Sequence, residues 1–449
     1  MASIVDDILP AAGHPADDPV VKPPERAAAV LNARWYVLGV TMLIYTVSIA
    51  NRYVFSQVQE QIRLELGLTD FGIGVLGGVS LGLFYVTMGI PLSWIADRKS
   101  RRNLLVFALG AWSVATTLCG LSRTYWQLLC ARIGVGVGEA GGTPPCTAIV
   151  ADYFPIDLRP MAMAIFALGA PIGAWVGADF AGQIAHAYGW RAAFLALGVP
   201  GVVLAAVVRF TVREPLRGQT DAVAPGAAPS MGATLRYLWS QKSAMHLLMS
   251  GGVTCFWGWG LMWFTAPFLE RTYLIDEARA GSITGPVHLI MGIGSSLAAA
   301  WLLNKHWCRN PRIICRLLGW LVALSTVPSI MVYATHSLTL ATVGLWLFVP
   351  AIYLYIGPTM ALLQNVAPAN MRATFVAISL LIANIFNLVI VPAGIGWLSN
   401  HFAGSGPNTA ASLRAALLFL APVGFWGAFH YFMAARSIEA DQQRAVGTC

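Results

Sequence analysis

The chain has 449 residues, 57% of them apolar and only 11% charged, with a net charge of +8. A water-soluble domain carries about 25% charged residues, so this composition excludes an ordinary soluble globular fold and makes lipid the solvent. The basic balance points to nucleic acid only if the cations cluster away from membrane-flanking loops, and they do not.

Residues 1–34 read as a disordered cytoplasmic tail. They are Ala- and Pro-rich, include Asp6, Asp7, Asp17 and Asp18, and lack the basic-then-apolar pattern of a secretory signal. Twelve apolar stretches follow, each near the roughly 20 residues that cross a bilayer as helix. Six lie near 36–58, 70–95, 103–122, 125–150, 161–186 and 191–211; six more lie near 244–269, 281–303, 313–334, 338–364, 373–398 and 411–434. Residues 212–243 form the long polar interruption, with Pro215, Pro225 and Pro229, and read as a cytoplasmic linker. The expectation is an all-α membrane protein of twelve spans in two six-helix bundles, 35–211 and 244–435, with a cytoplasmic tail over 436–449.

Placing both termini on one side puts twenty Lys and Arg on that side and six on the other. This asymmetry assigns the basic side to the cytoplasm and explains the positive charge without nucleic acid. The seven cysteines show no ligand spacing, so no metal or other cofactor is expected.

In span one, Asn51-Arg52 sits in the outer half of an apolar helix. The loop after span two reads Ser93-Trp-Ile-Ala-Asp97-Arg98-Lys99-Ser100-Arg101-Arg102. It resembles the signature loop of the major facilitator superfamily, with serines at 93 and 100 where glycine is common. That resemblance implies a gate: Asp97 near the N-terminus of span eleven, satisfying its dipole, and Arg101 and Arg102 pairing with acids such as Asp152. The plainer reading is a basic cluster that only sets topology.

Span four runs Arg132-Ile-Gly-Val-Gly-Val-Gly-Glu139. Seven residues apart, Arg132 and Glu139 share a helix face, and charges at bilayer depth face a cavity or a partner. Arg52 is the natural partner, giving a buried cluster of Arg52, Arg132 and Glu139 that either senses proton and substrate or statically joins helices. Span five carries Gly169, Pro171, Gly173 and Gly177 ahead of Asp179, similar to an antiporter-associated motif. Asp179 is a second candidate proton carrier, or a residue of the outer interface.

The loops after spans four and ten read Pro155-x-x-x-Arg159 and Pro368-x-x-x-Arg372, 213 residues apart. The repeat supports an internal duplication and adds Arg159 and Arg372 to the gating candidates. Span seven supplies Trp257, Trp259 and Trp263, and spans ten and eleven supply Tyr353, Asn384 and Asn387. These suit an aromatic cavity for an amphipathic solute, against the alternative of interfacial aromatics. The binding candidates are Asn51, Arg52, Arg132, Trp257, Trp263, Tyr353 and Asn384.

Taken together, Asn51-Arg52-Tyr53, the Asp97 loop, Arg132 through Gly142, Asp152-Tyr-Phe-Pro155, Tyr188-Gly-Trp-Arg191 and Gly357-Pro-Thr-Met-Ala-Leu-Leu-Gln364 resemble the Spinster branch of the superfamily. The resemblance implies a monomeric bacterial inner-membrane transporter working by alternating access. It implies proton-coupled export or exchange of lysolipid- or sphingoid-like amphiphiles. The branch usually has an aspartate before the span-one arginine. Asn51 stands there and cannot titrate, which leaves coupling to Glu139, to Asp179, or to neither. Uptake or facilitated diffusion of an organic anion such as an aromatic acid is the alternative, and a non-transporting receptor or scaffold the third. No catalytic arrangement suggests an enzyme.

Overall fold

The computed structural model describes residues 33–155, 157–215, 230–306, 310–368 and 370–447. The expected N-terminal tail, save its last two residues, and linker residues 216–229 lie outside them. Every regular element among the described residues is helical. Helices suit a lipid solvent, since each backbone N–H and C=O finds its partner within the segment.

Ten helical runs are long and apolar enough to cross a bilayer, and an eleventh crosses as a pair, Lys242–Trp263 and Thr265–Tyr273, bent by 42°. The remaining segment, span four, is not the continuous helix that its hydropathy suggests. It divides into Tyr125–Glu139 and Thr143–Tyr153, with Gly141-Gly142 between them. Pro144 and Pro145 cause the break: they cannot extend a preceding helix, but they fit the first turn of a new one.

The final helix, Gly424–Gly447, runs through the stretch read as a C-terminal tail. Asp441 ties it down. Its buried carboxylate accepts from Ser243 N at 2.7 Å and Ser243 Oγ at 2.6 Å, satisfying orphan donors at the start of span seven.

The two halves repeat one packing plan. Span three packs on six and nine on twelve, two on four and eight on ten, one on five and seven on eleven. The repeated loop keeps its geometry too. Arg159 Nε donates to Phe154 O at 3.1 Å and Arg372 Nε to Ala367 O at 3.4 Å, each five residues back.

Between the halves, span two meets span eleven and span five meets span eight. These contacts are backbone-close at the end away from the cluster of basic loops. A Cβ at Gly78 would lie 2.6 Å from Pro392 Cβ, and one at Gly285 would lie 2.7 Å from Asp179 Cβ. Overpacking of this kind costs about 1–3 kcal/mol. Gly78→Val is therefore expected to wedge that end open, raising the distance between spin labels on the two halves there. An unchanged distance distribution would show that the contact yields elsewhere.

Candidate functional site

A cavity of about 510 Å³ lies between the halves, lined by spans one, five, seven, eight, ten and eleven. Its walls are aromatic and small: Tyr45, Tyr53, Trp259, Trp263 and Tyr353 face Ala167, Ala170, Ala299 and Ala300. It reaches from Ser56 and Trp263 toward Leu303 near the basic end. Arg52 is the one charged side chain among its described lining residues.

Arg52 Nε donates to Glu139 Oε2 at 2.9 Å, and its guanidinium lies 4.8 Å from the Tyr85 ring centroid. The Glu139 side chain is fully buried behind it, at the last residue before the helix break. Gly138 allows this depth, packing directly on the Trp112 backbone. Arg52 thus bridges the cavity and a hidden carboxylate.

Arg132 is buried but does not line the cavity, contrary to its assignment from sequence. It donates to Leu76 O and Gly77 O at 3.2 Å and lies over the Phe55 ring. Those carbonyls begin the π turn Val75–Val79 of span two, where wider winding frees backbone acceptors. Asn51, one residue from Arg52, turns away from the cavity, and its buried amide has no hydrogen-bond partner among the described residues.

Trp257 also leaves the binding set. It is fully buried in the second half, bonded to Ser329 Oγ at 3.3 Å and edge-on to Phe348. Trp263 and Tyr353 do line the cavity. Trp263 Nε1 donates to Asn387 Oδ1 at 3.1 Å, while Tyr353 OH meets Nδ1 of the buried His288 at 3.0 Å. Asn387 rather than Asn384 lines the cavity: the helix changes to π winding at Ile385–Ile390, which alters the facing of later residues. Asp179 sits in the π turn Val176–Phe180, accepting from Trp175 Nε1 at 3.1 Å.

At the basic end, Arg101 pairs with Asp152, and Arg98 stacks on Trp94 at 4.1 Å. Arg102 donates to Val212 O at 3.4 Å. The Asp97 side chain lies outside the described residues. Glu214, absent from the sequence reading, organises this loop. It accepts from Ser100 Oγ, Arg101 N and Arg102 N at 2.7–2.9 Å, an anion set on the N-terminus of span three.

The opposite end is sealed by residues that sequence reasoning missed. Gln59 Nε2 and Ser56 Oγ, from span one, donate to Trp263 O at 2.6 and 2.8 Å. Beyond them Arg271 of the second half grips Asp70 with both terminal nitrogens, at 2.9 and 2.7 Å, and Glu60 through Nε at 2.7 Å. Arg63 holds the other face of Glu60 at 2.7 Å, so two acids and two cations balance. The available signal was four charges at span ends, which also read as ordinary interfacial residues.

A family model described as Major Facilitator Superfamily matches residues 41–391. An MFS-type efflux pump of Mycolicibacterium smegmatis is 28% identical over 91% of this chain and 94% of its own length. Protein spinster homolog 1 of Xenopus tropicalis is 23% identical over 90% of this chain and 82% of its own. Among solved structures, a bacterial homologue of the human lysosomal transporter Spinster, inward-facing and occupied, aligns at 27% identity with a TM-score of 0.81, covering 91% of this chain and 98% of that one.

Proposed function

The chain belongs to the major facilitator superfamily and is a transporter of an organic substrate, and we propose that this substrate is an anionic amphiphile, lysolipid- or sphingoid-phosphate-like, held head-first at Arg52. The observation that carries this reading is one guanidinium in an otherwise uncharged cavity whose described walls are mostly aromatic and aliphatic, itself paired to a buried carboxylate. An apolar body gains from the walls, and an anionic head competes with Glu139 for Arg52.

In this reading the basic end faces the cytoplasm of a bacterial inner membrane. The halves rock about the cavity, alternately exposing it to each side, and here the end away from the basic loops is the one held together, by Arg271 on Asp70 and Glu60. A proton on Glu139 removes its charge and releases Arg52, so substrate and proton share one switch. Asp97, Arg98, Arg101, Arg102, Asp152, Arg159 and Arg372 work at the cytoplasmic gate, and the monomer is the working unit. The branch resemblance and the Mycolicibacterium efflux relative support exchange, or export down the substrate's own gradient. Because the proton that frees Arg52 favours anion binding, an inward proton gradient acting through this switch would drive uptake.

The test is a thermal-shift screen of purified protein against lysophospholipids, sphingoid bases, steroids and aromatic acids at two pH values. The expected hit is an anionic amphiphile whose stabilisation disappears in Arg52→Ala. Stabilisation by uncharged steroids alone, undiminished in that variant, would overturn the reading.

A further inference from the structure

The linker helix, Met231–Ser240, has no role in that reading. Ser230 caps it, accepting from Ala233 N at 3.3 Å. Thr234 and Leu238, one turn apart, are buried against the protein. Met231, Leu235 and Trp239 repeat the same four-residue step on the adjoining face, 61%, 37% and 71% exposed. At about 100° per residue these five side chains span one arc of roughly 140°. The protein covers one edge of that arc and leaves the rest bare.

Position and charge say what covers it. Only Gln241 separates the helix from Lys242, the first residue of span seven, so the helix ends where a spanning helix enters the bilayer surface. Tryptophan favours that water–lipid boundary. Arg236 borders the bare arc and is exposed, as is Lys242, and no acid occurs between Ser230 and Ser243.

We propose that this helix is an interfacial anchor for anionic phospholipid. Met231, Leu235 and Trp239 sink to the level of the head groups and first methylenes, and Arg236 and Lys242 hold the anionic head groups. The membrane is the occupant rather than a soluble protein, because the bare face is apolar, carries a tryptophan and lies beside two exposed cations at the start of a spanning helix.

The experiment uses full-length protein in which native cysteines are replaced by serine. A spin label at Leu235→Cys is compared with one at Ser240→Cys, which points the other way. Both are measured in phosphatidylcholine vesicles with and without phosphatidylglycerol. The label at 235 is expected to be accessible to oxygen and shielded from a water-soluble nickel reagent, and the label at 240 the reverse. Nickel access at 235 overturns the proposal. Shielding of 235 from both reagents also overturns it, since another stretch of protein would then cover the helix. Arg236→Ala with Lys242→Ala is expected to lower phosphatidylglycerol retention on the purified protein roughly thirtyfold, about fivefold per cation. Unchanged retention, read by native mass spectrometry, overturns the anionic preference.

Discussion

Glu139→Gln is expected to leave the transporter able to exchange its substrate but unable to use a proton gradient. The carboxylate is fully buried and holds Arg52 at 2.9 Å, while Arg52 keeps 16% of its side chain exposed toward the cavity. Deleting one partner of a buried ion pair costs about 3–5 kcal/mol, because the remaining charge stays uncompensated. Glutamine fits the same space without the charge, so it imitates the protonated acid. The unliganded variant should therefore be less stable than the parent, and an anionic ligand, which supplies the missing charge, should stabilise it more. In the parent, lowering the pH protonates Glu139, frees Arg52 and strengthens anion binding. In the variant, binding should be tight and flat with pH, at least about tenfold tighter than the parent above neutrality. Arg52→Ala should lose binding at every pH. Proteoliposomes with an imposed pH gradient decide the matter. Undiminished gradient-driven accumulation by Glu139→Gln would place coupling at another group.

The architecture was legible because lipid imposes simple rules. Apolar length marks the spans, cation asymmetry marks the sides, and a repeated Pro-x-x-x-Arg loop marks the duplication. Arg52 and Glu139 stood out because charge inside an apolar helix is expensive. Facing was the weak point. Trp257 and Trp259 lie two residues apart on an almost uniformly apolar helix, so periodicity carries no information about which one meets the cavity. Asn384 and Asn387 are separated by the onset of a π turn, which a 3.6-residue wheel does not anticipate. Arg132 read as a functional charge because the carbonyls it serves belong to another span's irregular turn. The Asp70–Arg271 contact joins residues 201 apart, each at a span end where charge is cheap and commonplace. Glu214 was hidden by the Pro-rich look of the linker it begins.

Arg271→Gln is expected to turn the resting population toward the form open at the far end from the basic loops. Asp70 is wholly buried and takes two bonds from Arg271, with one more from Ser399 Oγ at 2.6 Å. Without the guanidinium, Asp70 is left as a buried charge beside Glu60, and Arg63, already committed to Glu60, reaches it only at 3.9 Å. Opening that end lets water reach both acids, so the penalty of about 3–5 kcal/mol falls on the closed form alone. That is a population shift of roughly two to three and a half orders of magnitude, at 1.4 kcal/mol per tenfold. Spin labels at Leu64 and Leu274, exposed residues on opposite halves at this end, should report a longer distance in the variant. The double variant Asp70→Asn with Arg271→Gln removes the stranded charge as well as its partner and should return most of the population to the closed form. Sub-additive behaviour of that kind identifies a coupled pair. If the single and double variants open equally, the bonds made by Arg271, rather than the charge stranded on Asp70, decide whether this end stays shut. If neither opens it, the ion pairs are bystanders to a closure set by backbone packing.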